Sequence, residues 1–406
     1  MAIRCKDIMK LPSLGKLKLV SGRNGLDNVV RWVHVADVPR VTDWVQGGEL
    51  LFITGIGLKN DIDALLEMVD SIYKKRLAGL VVNIGPYIEY VPNEVAKYAD
   101  TLDFPVFELP WEVKIVEVTA DICKAIIMSQ IEEKALQELA ENILFGPIDN
   151  PNILINRAAY YGFNLTTPSR VAIIDIDDFA NYLKRNKIED EKRIIEIKNS
   201  FQQIVQSVLN QYLHKILYVT RSDSIILIIT DIRERDDFFP VLAEDIHRIA
   251  ARKLPGLTAS IGLGNSYLRL SDVQRSFKEA EQAILVINCT DKKNSILSYQ
   301  EIGFYKLLFG IEEEELISYN NETLGRLEEY DQQHGSDLVF TLQVLLDENY
   351  NLTKTTKKLF IHRNTLKYRI QKIESITGLK VEEPGYHRLN LQLSLAIRTF
   401  VKSLYK

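Results

Sequence analysis

Between Asn351 and Lys372 the chain reads NLTKTTKKLFIHRNTLKYRIQK, with seven Lys or Arg residues and not one carboxylate. Arg, Lys, Asn and Gln are the side chains that hydrogen-bond base edges in a DNA major groove about 12 Å wide, while Lys, Arg, Thr and Tyr suit phosphates. The spacing predicts one helix over about 353–359 and a second from Arg363 that stops at Gly378, a natural left-handed cap. The short break between them is that of a helix-turn-helix. Ahead of both, Asp337 to Asp347 supplies a helix with Leu338, Leu342, Leu345 and Leu346 on one side.

The second helix has two chemically distinct sides. With Arg363 at 0° and about 100° per residue, Leu366, Ile370, Ile373 and Thr377 fall at about 280–340°, the side to be buried. Arg363, Lys367, Gln371, Asn364 and Tyr368 fall at about 0–140°. The candidate DNA-binding residues are Arg363, Asn364, Thr365, Lys367, Tyr368, Arg369, Gln371 and Lys372, with Lys354 and Lys357 on the helix before. A charge run alone is usually a solvated face. Here the absent carboxylates, the spacing and the two-sided helix together favour double-stranded DNA as the partner.

The charge that marks this module is hidden in the average. The 406 residues hold 50 Lys+Arg against 55 Asp+Glu, a net charge of -5, so the chain is not coated in cations. Residues 301 to 337 carry ten carboxylates, Glu312 to Glu315 among them, against only Lys306 and Arg326. From Ser336 onward Lys+Arg outnumber Asp+Glu by 12 to 6, so a boundary is placed near Gly335. At 46% apolar and 26% charged residues the composition is that of an ordinary globular chain, long enough for two or three domains.

Two α/β units precede the module. In the first, Leu50–Thr54, Gly79–Ile84 and Pro105–Leu109 read as strands, Asp61 to Leu77 as a helix, and Val113 to about Leu144 as one long helix. A helix of that length is expected to bridge domains or to pair with its copy in a dimer. In the second, a strand over Val171–Ile176, a charged helix through 188–213, a hairpin of 215–220 with 225–230, a helix near 240–251, a strand over 257–263 and a helix over 271–286 give the order β-α-β-β-α-β-α. That order is a ferredoxin-like split βαβ plan. The domains expected are 1–125, a helical linker 126–165, 166–300, an acidic helical linker 301–335 and 336–406.

Ile361-His362-Arg363-Asn364-Thr365-Leu366-Lys367-Tyr368-Arg369-Ile370, with Ile373-Glu374-Ser375-Ile376-Thr377-Gly378-Leu379 after it, closely resembles the C-terminal helix-turn-helix of the purine-catabolism-regulator (PucR-type) transcription factors. It resembles the Fis-type module more distantly. Arg388 to Ala396 looks like the closing helix of the same family. Two residues depart from such motifs: Thr356 stands where a small Ala is usual, and Phe360 where many turns have Gly. The words Leu26–Val35 and Trp44–Gly55 resemble the family's N-terminal domain, which the resemblance implies to be a sensor of a small-molecule effector. Weak candidates for that site are Trp44, Glu49, Thr54, Gly55 and Asn83, at expected strand ends and glycine turns, where turn chemistry is the competing reading.

The middle unit, Val171 to Phe179 with the later hairpin, resembles the GGDEF domain of diguanylate cyclases. Two carboxylates must hold Mg²⁺ there, over a backbone bare enough for a nucleotide. Asp175 matches one, but the hairpin reads Arg221-Ser222-Asp223-Ser224-Ile225, with Ser224 in place of the other and both glycines gone. Leu183 and Lys184 stand where the family binds guanine. These departures imply a degenerate, non-catalytic domain, and Asp175, Asp177 and Asp178 are read instead as an acidic strand end that caps the next helix. Gly262 and Gly264 lack the spacing of a dinucleotide loop and are expected to close a strand.

The six histidines (34, 214, 247, 334, 362, 387) show no metal-ligand pairing, and no nucleophile elbow or Walker loop occurs. No catalytic residue, metal or cofactor is expected. His362 is expected to start the recognition helix. Cys5, Cys123 and Cys289 lie too far apart for a disulfide framework, and neither a signal sequence nor a membrane span is seen, so a cytoplasmic protein is expected. The fold class expected is a multidomain α/β chain: an α/β sensor domain, a degenerate GGDEF-like α/β domain and an all-α helix-turn-helix domain. The function expected is that of a one-component, ligand-responsive transcriptional regulator of a catabolic pathway, acting as a homodimer or higher oligomer. The competing expectation is a nucleotide-binding or cyclase-like signalling enzyme, which GTP turnover with Mg²⁺ would reveal.

Overall fold

The computed structural model describes residues 3–37, 41–58, 61–213, 216–230, 238–381, 383 and 385–404. His214 and Lys215, the latter the expected start of a strand, lie outside them. The chain forms two compact units, Met1–Leu136 and Gln137–Lys406.

The first unit is built on five strands, β1 Lys18–Ser21, β2 Trp32–Val35, β3 Glu49–Ile53, β4 Gly79–Ile84 and β5 Val106–Pro110. Their order is β1-β5-β4-β3-β2, parallel from β2 to β5 with β1 antiparallel on β5. Inner strands of a parallel sheet are covered on both faces and so read as unbroken apolar runs. Leu50 to Ile53 are accordingly all buried. Helices Ile62–Lys74 and Asn93–Thr101 cover one face through Leu65, Met68, Ile72 and Val95. Cys5, Ile8, Val118, Ile122 and Ile126 cover the other. β1 and β2 were not among the expected strands. Both are edge strands of four residues with mixed burial, and Trp32 is 53% exposed, so no apolar run marks them.

In the second unit β6 Ser169–Ile176, β7 Leu217–Arg221, β8 Ser224–Thr230, β9 Ala259–Leu263 and β10 Ile296–Ser298 form a sheet in the order β10-β9-β6-β8-β7. The first four strands take the expected split βαβ arrangement, and β10 extends it in parallel beside β9. Helices Glu191–Tyr212 and Phe238–Lys253 cover one face, and Val273–Cys289 packs on β6 and β9. The charged helix expected through 188–213 is preceded by a separate short one, Phe179–Arg185, with Lys187 left-handed between them. Gly264 does more than end a strand. A Cβ there would collide with the Ser276 carbonyl, so the glycine lets Val273–Cys289 approach the sheet.

Neither segment expected as a linker is free. Within 126–165, Leu139, Ala140, Ile143, Leu144 and Ala158 are buried. The acidic segment 301–335 contains helices Tyr305–Leu308, Glu313–Asn320 and Arg326–His334 joined by a π-helical turn, Asn321–Gly325. Its Leu324 and Leu327 are fully buried in one core with Leu342, Leu345, Leu366 and Ile370. The sign change near Gly335 is therefore a change of surface, not a break in packing: the acidic residues decorate the outside of a helix whose inner leucines belong to the next module. Asp331 ties the two together, accepting from Leu338 N at 2.8 Å and Val339 N at 2.9 Å.

Candidate nucleic-acid interface

Helices Leu352–Leu359 and Arg363–Thr377, preceded by Leu338–Asp347, form the expected helix-turn-helix. Each of the two carries its own start signal. Asn351 Oδ1 accepts from Lys354 N at 3.0 Å, and His362 Nδ1 accepts from Asn364 N at 3.3 Å. Gly378, at φ 72°, ends the second helix in the left-handed conformation anticipated for it. Leu366, Ile370 and Ile373 are buried, and Thr377 Oγ1 donates back to Ile373 O at 2.8 Å. The apolar side of this helix is thus committed to the module's own core.

Arg363, Asn364, Thr365, Lys367, Tyr368 and Gln371 are exposed on the helix, and Lys354 and Lys357 on the helix before it. Arg369 and Lys372 are not part of that open row. Arg369 is half-buried, and its Nη1 donates to Oγ1 of the fully buried Thr341 at 2.8 Å. Lys372 is half-buried with its ammonium 4.8 Å from the centre of the Tyr330 ring. At about 100° per residue these two stand at about 240° and 180°, outside the arc of the other polar residues, so their angular position already distinguished them.

Thr355, not Thr356, is the small residue packed into the core: it is fully buried and its hydroxyl is returned to Asn351 O at 2.9 Å. Phe360 takes the left-handed conformation, φ 54° and ψ 41°, that glycine usually supplies there. For a residue with a Cβ that conformation costs about 1–2 kcal/mol.

The candidate effector residues divide between the two ends of β3, and Asn83 on β4 falls beside Thr54 because Ile53 pairs with Val82. Glu49 opens β3, and its carboxylate accepts from Gln46 N at 2.8 Å and Gly47 N at 2.7 Å. Thr54 and Gly55 follow the other end of the same strand, roughly 17 Å away for five residues of extended chain. Both backbone amides donate to Asp37 Oδ1, at 2.7 and 2.9 Å, and Thr54 Oγ1 donates to Asp37 Oδ2 at 2.7 Å. Asp37, which closes this loop, carries no motif that would have revealed it. Asn83 is buried and donates to Leu109 O at 3.0 Å, holding β4 to β5. Trp44 is 75% exposed.

At the GGDEF-like edge, Asp175 lies opposite Ser224 in the β6–β8 register. Burial, together with the nearby Asp223 and Asp177 carboxylates, pushes its carboxyl up to about 7. Asp223 was not identified in the sequence as a neighbour of Asp175, because hairpin register is not written in composition. Asp177 is buried and spent on structure, accepting from Ser260 Oγ at 2.6 Å and Asn294 N at 2.8 Å. The adjoining cleft, lined by Lys198, Asn199, Gln202, Ser222 and Asp223, is about 160 Å³, below the roughly 300–1,000 Å³ of ordinary ligand pockets. Among the described residues no three His, Cys, Asp or Glu side chains are gathered as a metal cluster, and no helix is long and apolar enough to cross a membrane.

Comparison with known proteins agrees with this layout domain by domain. Residues 7–126 match the purine catabolism regulatory protein-like family, 146–286 the GGDEF-like domain and 338–397 the PucR C-terminal helix-turn-helix domain. The purine catabolism regulatory protein of Bacillus subtilis is 22% identical over 97% of this chain and 98% of its own. The proline-responsive transcriptional activator PutR of the same organism is 28% identical over 41% of each chain. The carbohydrate diacid regulator of Escherichia coli is 29% identical over 29% of this chain and 30% of its own. With a PucR domain at one end and a PucR helix-turn-helix at the other, the chain carries the domains of the PucR-type transcriptional regulators and is homologous to the purine catabolism regulatory protein.

Proposed function

We propose that the protein is a one-component regulator that places Arg363–Thr377 in the major groove of double-stranded DNA. Arg363, Asn364, Lys367 and Gln371 read base edges, and Thr365, Tyr368, Lys354 and Lys357 hold phosphates. Arg369 and Lys372 position the helix from inside the module and touch DNA only at its margin. The single observation that supports this reading is a row of exposed donors on the same helix as a buried apolar seam formed by Leu366, Ile370 and Ile373. The middle domain acts as a structural body without catalytic chemistry, in keeping with its small cleft and with relatives that are regulators.

A helix of this kind usually works in pairs on half-sites one helical turn apart, so the protein acts as a homodimer, paired through the long helix and the middle domain. The effector is a small metabolite of a catabolic pathway; one relative is named as a proline-responsive activator. It binds in the first domain and acts in the cytoplasm by favouring one arrangement of the two DNA-binding modules over another. The test is binding of the full chain to duplexes selected from a random-sequence pool. Arg363→Ala is expected to weaken selected sites by about 1–3 kcal/mol and to relax base preference. Unchanged affinity and unchanged preference would defeat the reading.

A further inference from the structure

Phe360 is the most exposed large apolar side chain among the described residues, 95% open to solvent. It is also held where a side chain is least comfortable. Ile361 N donates to Thr356 O at 3.2 Å and Phe360 N to Lys357 O at 3.4 Å, the hydrogen-bond pattern that ends a helix through a left-handed residue. Its two neighbours, Leu359 and Ile361, turn inward and pack on the module's core, so the ring between them is presented outward. Glycine would make the same turn without strain, and a polar residue would make it without exposing a phenyl ring. Among the described residues the ring, 95% open, gains no burial that offsets either cost.

The offset must come from a bound partner, and the surroundings say which. Phe360 lies three residues after Lys357 and three before Arg363, both exposed, in the one stretch of the chain that has seven cations and no carboxylate. It joins the two helices that carry every proposed DNA contact. We propose that Phe360 is itself a DNA contact, an apolar one, seated at the groove wall beside the entry of the recognition helix. The apolar chemistry a duplex offers there is the thymine C5-methyl and the carbons of deoxyribose. This rests on the DNA-binding reading above and adds to it a residue whose contribution is not ionic. Contacts that neutralise phosphates release counterions and steepen the dependence of affinity on salt; an apolar contact does not.

The experiment uses the full chain, duplexes selected from a random-sequence pool by the parent protein, and fluorescence anisotropy over a salt series. Phe360→Gly and Phe360→Asn both fit the left-handed turn, so both are expected to melt at or above the parent temperature. Both are expected to bind roughly ten-fold more weakly at every salt concentration, with the slope of log affinity against log salt unchanged. A stabler protein with weaker binding is an outcome that mere structural damage does not produce. Replacing thymine by deoxyuridine in the duplex identifies the surface: an effect on the parent that is absent in Phe360→Gly assigns the methyl group, and no effect on either assigns the sugar. Affinity within about two-fold of the parent for both variants, while Arg363→Ala is weakened, overturns the role of Phe360 and leaves the DNA reading intact. If Arg363→Ala is also unaffected, the DNA reading has failed first.

Discussion

Arg369 Nη1 reaches Thr341 Oγ1 across 2.8 Å, bonding the recognition helix to the helix that precedes the motif. The hydroxyl donates in turn to Asp337 O at 2.7 Å, so a charged donor ends a short chain of bonds inside the module. A cation in the middle of a basic segment is thereby a fastening between helices. Removing it should act on stability before it acts on DNA. Arg369→Ala is expected to lower the free energy of unfolding by about 1–3 kcal/mol, since Thr341 is left buried with an unused acceptor. A double-mutant cycle with Thr341→Val should give a coupling of about 1 kcal/mol, and additivity of the two single effects would show the bond to be idle.

Lys357 and Lys372 separate by the salt dependence of binding. Lys357 is exposed, so Lys357→Ala should lower the slope of log affinity against log salt by about one. The Lys372 ammonium lies over Tyr330 and is half-buried, so Lys372→Ala should change the slope by clearly less and should cost roughly 0.5–2 kcal/mol of stability instead. Equal slopes in the two variants would contradict the division.

Asp175 predicts a pH dependence. Burial, and then Asp223 and Asp177, raise its carboxyl from 3.8 to about 7. A carboxyl raised by folding binds its proton more tightly in the folded chain, so its contribution favours folding below about pH 4 and is lost as the pH climbs through 7. Asp175→Asn removes that dependence. Its melting temperature should exceed the parent's at pH 8, by the equivalent of up to about 4 kcal/mol, and the gain should shrink steadily as the pH is lowered toward 4. A gain that grows on acidification would reverse the assignment.

Gly264→Ala tests the close approach of Val273–Cys289 to the sheet. The new Cβ would meet the Ser276 carbonyl, a backbone atom that can move only with its helix. The same carbonyl neighbourhood is fixed by Ser276 Oγ, which donates to Asn265 O at 2.6 Å and accepts from Val171 N at 2.9 Å. Destabilisation by about 1–3 kcal/mol is expected in chemical denaturation. An unchanged midpoint would mean that the helix has room to retreat.

Local order along the chain already determined the recognition module. A buried seam at helical spacing, a basic opposite side and a glycine stop are all read over fewer than thirty positions, and each rests on forces between near neighbours. The split βαβ plan was legible for the same reason, because inner strands announce themselves as apolar runs. The edge strands β1 and β2 were not, since one neighbour and one covered face leave a mixed pattern. Composition also concealed a continuity of packing. The acidic stretch reads as a linker until Leu324 and Leu327 are seen beside Leu366, because charge records which side of a helix meets water and says nothing of what its other side meets.

What only the tertiary structure decided is which polar groups remain available. Arg363 and Arg369 have the same chemistry six positions apart, yet one is open and the other is bonded to Thr341. Glu49, Thr54 and Asn83 are each hydrogen-bonded within their own domain, where they close a turn or a strand pair. Thr355 rather than Thr356 fills the core, and Phe360 is left in the open. A sequence fixes the types of donor and acceptor, but their partners come from segments far along the chain, and a hydrogen bond already made at home is not offered to anything else.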